Sequence, residues 1–433
     1  MEFLASDALR GRGSGTADEL LAATYVASEM RQYGVEPAGD GGTFIQTATL
    51  LRRKVAGPPR LTFKVSGSRG TVWTHGKEIL VLQLAAEHIS GPLQKIDTSR
   101  GTGAPVTPGA IVFANPVSEI DARQLAYQLV SQGAAAVIIP ESPRLRARWS
   151  AASKLPQFPV VVDGDAERGM SQKATFIAVS NAAAAQLSRV PDGVVVNLRA
   201  PGASTEKTYT WNVVGKISGS DPVQQHETIL LTAHLDHLGI GTPVNGDNIY
   251  NGADDDASGT TAVLELARVL TASPRPRRTI VLALFGSEEK GGLGSTYFRA
   301  HPPVPLKDIA AYLEFEMIGR PDPAVPRDTL WLTGWNRTNL GPELAGHGAH
   351  LVGDPHPAED FFRRSDNYVF AKQGVVAQTV SSYGLHQDYH QPSDDLAHID
   401  FQHMDEAIES MIGPVLWLAN SDFVPKWNDG GQP

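Results

Sequence analysis

Four short segments constrain this chain more than anything else in it: TILLTAH (228–234), TIVLALFG (279–286), AAYLEFEM (310–317) and VVAQTVSS (375–382). Each is a mostly apolar run rather than an alternating one, the pattern of a strand buried on both faces. Between the first two lies SGTTAVLELARVL (258–270), with apolar residues at helical spacing and Ser258 or Asp256 placed to cap it. Such strands alternating with helices predict an α/β fold with a largely parallel sheet covered on both faces.

The earlier part of the chain has a different rhythm. Asp18–Tyr33 carries apolar residues at helical spacing, and Gly34 follows as a helix-ending glycine. FIQTATL, TFKVSGSRGTVWTHGKEILVLQL, FPVVVDGD and GVVVNLRA read as strands broken by turns. AIVFA, EIDARQLAYQLVSQ and AAAVIIP form a strand–helix–strand unit. PGASTEKTYTW (201–211) reads as a boundary between the two parts. A chain of 433 residues is long for one core, so two domains are the natural reading. No run of about 18 apolar residues is present, so no membrane span is expected.

The polar residues fall where such a sheet would use them. His234 ends TILLTAH, with Asp236 and His237 just after; Glu288 and Glu289 follow TIVLALFG; Glu314 and Glu316 close AAYLEFEM. His386, Asp388 and His390 lie in the loop after VVAQTVSS. The stretch NGADDDASG sets Asp254, Asp255 and Asp256 side by side before a helix that reads as buried. An unpaired buried charge costs several kcal/mol, so three adjacent acids call for a positive partner. Open α/β sheets bind ligands at the carboxyl ends of their strands, and four strand ends supply metal-type ligands here.

Singly, each cluster has a plain structural reading. The acid triplet suits a helix N-terminus, as does Glu288–Glu289, and His234 and His237, three apart, make at most half a zinc site. Rival motifs are missing: HETIL at His226 lacks a second histidine, and GRGSGT around Ser14 completes neither a nucleophile elbow nor a dinucleotide fingerprint. There is no P-loop, and His347 and His350 in GHGAH have no acids beside them. With no cysteine in the chain, disulfides, thiolate zinc sites and thiol nucleophiles are excluded, so a transition metal would need His, Asp and Glu. A net charge of −10 without a basic tract argues against nucleic acid as a partner.

Taken in order, AHLDHLG, NGADDDASGT, GSEEKGGLGS, LEFEMIG and DYHQPSD resemble the M28 zinc peptidases, from about residue 206 to the end. The opening FLASDALRGRGSGTADELLAATYVASEMRQYGVEPAGD is similar to that family's N-terminal segment, and the strand–helix–strand region to an inserted protease-associated domain. The resemblance implies a three-layer zinc-exopeptidase fold with a central mixed, mostly parallel sheet and a smaller β-rich α/β insert. The expected division is 1–72 and 206–433 for the peptidase domain and 73–205 for the insert. It implies two Zn²⁺ per chain: His234 and Glu316 on one, Glu289 and His390 on the other, Asp255 bridging both. Asp236 would orient His234, and Glu288 would be the general base acting on a hydroxide shared by the metals. Glu316 departs from the aspartate common among relatives. Co²⁺ or Mn²⁺ suits the same donors.

The implied activity is that of an exopeptidase, and an aminopeptidase acting on peptides with a free N-terminus is expected. A one-zinc glutaminyl cyclase and a carboxypeptidase are the alternatives. Tyr383 and Tyr389 are candidates for stabilising a tetrahedral oxyanion. Arg363 and Arg364 in FFRRSDNY read as a solvated helix face, with a carboxylate clamp as the alternative. A secreted or periplasmic location is expected, with a leader outside MEFLASDALRGRG.

Overall fold

The computed structural model describes residues 1–98, 105–115, 122–165 and 173–433. They divide into two compact units, Met1–Thr49 with Tyr209–Pro433, and Leu50–Thr208. The sequence reading put these boundaries at 72/73 and 205/206. The change of unit, between Thr208 and Tyr209, falls inside PGASTEKTYTW, which from Gly202 onward belongs to one long strand, Gly202–Ile217. Its alternating Thr, Tyr and Trp favour extended backbone, so the chain changes unit without a loop.

The first unit contains α1 (Ala17–Gln32), the start of β1 (Ile45–Val55), the end of β2 (Gly202–Ile217), β3 (Thr228–His234), α2 (Gly259–Ala272) and β4 (Thr279–Phe285). It continues with β5 (Ile309–Phe315), β6 (Leu330–Leu332), β7 (Leu351–Gly353), β8 (Ala377–Ser381) and α3 (Phe401–Asn420). The strand order is β7-β6-β8-β5-β3-β4-β2-β1. β3 runs parallel to β4 and β5, and β5 to β8, while β2 on β4 and β6 on β8 are antiparallel. The sheet is thus mixed and mostly parallel at its centre.

Every residue of β3 and β4 is buried, as a run without polar alternation requires. Odd and even positions serve different cores. Ile229, Leu231, Ile280, Leu282 and Leu284 pack with Val26 of α1, Val263 of α2 and Met411 of α3. Leu230, Val281 and Phe285 pack on the other face with Phe298, Tyr312 and Phe370. α1 ends as expected: Gly34 takes a left-handed φ of +82°, and Val35 N–H bonds back to Met30 O.

The chain steps from β3 to β4 on one side and then crosses back to β5 on the other. That reversal opens a crevice at the carboxyl end of β3, where loops from β3, β4, β5 and β8 converge.

The second unit holds an eight-stranded sheet and two cores, one around Leu61, Trp73 and Ile177, the other around Leu80, Val112 and Leu129. Its strand–helix–strand unit is present: Ile111–Asn115 pairs parallel with Ala136–Pro140, joined through the helix Ala122–Ser131. Residues 119–121, which the sequence places in that helix, lie outside the described residues. FPVVVDGD yields only a two-residue strand, Val161–Val162.

Candidate metal centre

The five residues assigned as ligands, and Glu288 beside them, come to one place. His234 ends β3, and its Nε2 lies 3.0 Å from Asp255 Oδ1. Glu316 follows β5 and groups with these two, its ligand atom within 4.8 Å of theirs. On the other side of the same carboxylate, Asp255 Oδ2 is 3.2 Å from His390 Nε2, which is 3.3 Å from Glu289 Oε2. The two oxygens of Asp255 therefore face two separate donor sets.

The acid triplet is resolved by role. Asp256 Oδ2 accepts from His234 N–H, and its Oδ1 accepts from Met317 N–H and Gly259 N–H, so Asp256 rather than Ser258 caps α2. Asp254 Oδ1 accepts from Gly319 N–H, and its Oδ2 pairs with His386 at 3.0 Å. Asp254 and Asp256 thus fasten this loop to those after β3 and β5, leaving Asp255 to face the crevice.

Asp236 sits beneath the loops after both β3 and β4. Its main-chain oxygen lies 3.2 Å from His234 Nδ1, with its carboxylate at 3.7 Å. The carboxylate accepts from Glu288 N–H at 2.8 Å, Glu289 N–H at 3.3 Å and the Ser14 hydroxyl. It therefore positions the Glu288–Glu289 turn as well as His234. Ser287, at a φ of +54°, bends the chain sharply so that Glu288 and Glu289 diverge. Gly286 is required before it, because an added Cβ would fall 1.9 Å from Glu19 Oε1.

The charge balance fits a cation. Burial opposes ionisation of Asp255, but the facing His237, His234 and His390 outweigh it and hold the carboxyl well below its usual range. Burial and Asp255 raise Glu289, while His237 and His390 bring it down to about 2. Burial disfavours charge on His390, yet Asp255 and Glu289 raise it to about 10. Three histidines face these two acids, a donor set that suits a cation. His234 Nε2, His237 Nδ1 and Glu289 Oε1 are buried without a hydrogen-bond partner despite neighbours at 2.9–3.0 Å. Donors that close but misaligned point at a shared third position, as ligands of one ion do. Elsewhere burial dominates: it raises Glu288, Glu314 and Glu316, and it lifts Asp366 to about 7.

Sequence reasoning missed several members of this site. His237 is fully buried with Nδ1 2.9 Å from Glu289 Oε1 and 3.8 Å from Asp255 Oδ2. Its only local signal is the three-residue spacing from His234. Arg12 is 1% exposed and donates to Leu4 O, Leu235 O, Asn251 O and Gly252 O, joining the loops that carry His234 and Asp255. Glu19 accepts from Gly15 N–H and the Thr210 hydroxyl behind Ser287. Glycine density in GRGSGT was the one local hint of these contacts.

A pocket opens beside Glu316, walled by Trp331, Phe361, Tyr383 and Tyr389. Tyr389 stacks on His390 with ring centroids 3.9 Å apart and lies 5.2 Å from Tyr383. FFRRSDNY is not a helix face: Phe361–Arg363 is a single tight turn. Arg363 pairs at the surface with Asp360, whereas Arg364 lines the pocket, lies over Phe361 and pairs with Glu359 at 3.2 Å. The stretch FFRRSDNY gave no means to separate the two arginines. His347 stacks on Trp417, apart from the site.

Residues 212–413 match the model of peptidase family M28. An aminopeptidase of Pseudomonas aeruginosa is 36% identical over 118 residues, 27% of this chain and 20% of that protein. The chain thus spans about a fifth of that relative's length. Among solved structures, an aminopeptidase from Aneurinibacillus sp. strain AM-1 superposes with a TM-score of 0.56 at 20% identity, covering 98% of this chain and 93% of that one. A zinc aminopeptidase from Bacillus subtilis gives 0.52 at 20% identity, with 98% and 94% coverage. At that identity the likeness is one of fold.

Proposed function

Because residues 212–413 match the model of peptidase family M28, we propose that this chain is a zinc-dependent aminopeptidase with a two-cation centre. The observation that carries the reading is Asp255, whose Oδ1 faces His234 and whose Oδ2 faces His390. His234, Asp255 and Glu316 would hold one cation; Asp255, Glu289 and His390 would hold the other. Bound there, Zn²⁺ would polarise a peptide carbonyl and lower the pKa of a water.

The protein's own residues do the rest. Asp236 fixes the tautomer of His234, because its main-chain oxygen can only accept the Nδ1 proton, leaving Nε2 free as a ligand. The side-chain carboxylate of Asp236 anchors the backbone of Glu288, which places that side chain next to the ligand Glu289 without committing it to a cation. Burial raises Glu288, so it can take a proton from the attacking water and return it to the leaving amine. Tyr383 and Tyr389 stand at the pocket edge, where a phenolic O–H can meet a developing oxyanion. The aromatic walls suit the apolar side chain of a substrate's first residue.

Arg364 at the pocket favours one second reading, a carboxypeptidase whose substrate carboxylate displaces Glu359. Aminoacyl-chromophore substrates and N-blocked peptides, assayed with chelator and zinc add-back, separate the two. Zinc-restored cleavage of unblocked substrates alone supports the aminopeptidase; cleavage of N-blocked peptides from their carboxyl end overturns it.

A further inference from the structure

His237 lies outside the five-ligand set, yet its setting is that of a ligand. The ring is 0% exposed, and neither ring nitrogen has a hydrogen-bond partner. A buried polar group left unpaired costs about 1–3 kcal/mol, so a histidine with no task here would be a poor choice over leucine. Its orientation is fixed from several sides. His237 N–H donates to Arg12 O, and Ser14 N–H donates to His237 O. The ring rests on Gly252, where an added Cβ would lie 2.5 Å from His237 Cγ.

The distances suit ligands of one cation. Four donors set tetrahedrally about 2.0–2.2 Å from one zinc stand roughly 3.3–3.6 Å from one another. His237 Nδ1 lies 2.9 Å from Glu289 Oε1 and 3.8 Å from Asp255 Oδ2. His390 Nε2 lies 3.2 Å from Asp255 Oδ2 and 3.3 Å from Glu289 Oε2. These separations, which reach opposite oxygens of Glu289 from the two histidines, lie within about 0.4 Å of that tetrahedral edge. His237, Asp255 and Glu289 each offer a donor atom within 4.8 Å of the others', and the His237 and His390 rings meet edge to face with centroids 5.6 Å apart.

We propose that His237 is a fourth protein ligand to the cation held by Asp255, Glu289 and His390. This rests on the two-cation reading above. That position is then closed by protein, while His234, Asp255 and Glu316 leave the other with three ligands and room for substrate. Structural zinc sites are closed by four protein ligands, and catalytic ones keep a place open. The two cations are therefore unequal: the closed position holds its metal tightly and exchanges slowly, and the open one loses metal first.

The test compares the wild type with His237→Ala and His237→Phe, the latter keeping ring volume without a donor atom. Metal content is measured by mass spectrometry after dialysis against a graded zinc chelator, alongside the absorption spectrum of the Co²⁺-loaded proteins. The wild type should hold two zinc ions and release them in two separate steps. Both variants should lose the tighter step, with affinity there falling at least about 100-fold, the upper end of what removing an outer-shell partner costs. The spectrum of the first-bound Co²⁺ should change as well. Variants with two zinc ions, wild-type affinities and an unchanged spectrum overturn the role of His237 and leave the two-cation centre standing. A wild type that binds fewer than two ions overturns both.

Discussion

Arg12 offers the sharpest test of how the centre is held. Its guanidinium makes four bonds to main-chain oxygens, at 2.8 Å to Leu235, 2.6 Å to Leu4, 2.6 Å to Asn251 and 2.9 Å to Gly252. These carbonyls belong to the N-terminal segment and to the loops bearing Asp236 and Asp255. Arg12→Lys keeps the charge but loses the planar fork, and a single ammonium cannot reach carbonyls on three segments. Losing two charge-assisted bonds at about 1.5–3 kcal/mol each removes about 3–6 kcal/mol. At about 2–4 °C per kcal/mol for a unit of this size, the melting temperature should fall by about 6–12 °C at the lower energy. Zinc affinity should fall about 10–100-fold, since the ligands themselves remain but their support is loosened. Thermal unfolding of the metal-free protein and a competition titration with a chromogenic chelator read both effects. A variant that melts within about 2 °C of the wild type and binds zinc equally well would refute the reasoning.

Three other substitutions probe separate parts of the account. Glu288→Gln should retain full metal content and lose about 10²–10⁴-fold in turnover, read by metal analysis beside a peptide-hydrolysis assay. Gly252→Ala sets a Cβ 2.3 Å from Asp255 O at a φ of +62°, and should cost about 1–3 kcal/mol in chemical denaturation together with part of the zinc content. Burial lifts Asp366 from 3.8 to about 7, so its contribution to stability is complete below pH 3.8 and is lost as the pH rises through 7. That interval corresponds to about 4 kcal/mol in the metal-free protein, and Asp366→Asn should flatten the stability–pH curve over it by that amount in urea titrations.

The elements legible in the sequence were those whose pattern is local. β3 and β4 are buried on both faces, so their runs are mostly apolar and no alternation confuses the reading. Asp255 was legible because three adjacent acids ahead of a buried helix need a positive charge nearby. The flanking acids were less so: Asp256 caps α2, but it also bonds His234 and Met317, contacts that no spacing rule contains. Arg12, Ser14 and Glu19 act on residues more than 190 positions away, where a linear reading has nothing to match. His237 failed for another reason, since a histidine three residues from another fits a surface as readily as a metal. The boundary at 201–211 was placed on a change in the rhythm of elements, and the change of unit between Thr208 and Tyr209 falls inside it, within the strand Gly202–Ile217 rather than in a loop.

The central claim is that two cations share the carboxylate of Asp255. Anomalous diffraction from zinc-soaked crystals, collected on both sides of the zinc absorption edge, addresses it without recourse to activity. Two peaks about 3.5–4 Å apart are expected, one between Asp255 and His234 with Glu316, the other between Asp255 and Glu289 with His390. A single peak, or peaks remote from Asp255, would contradict the account.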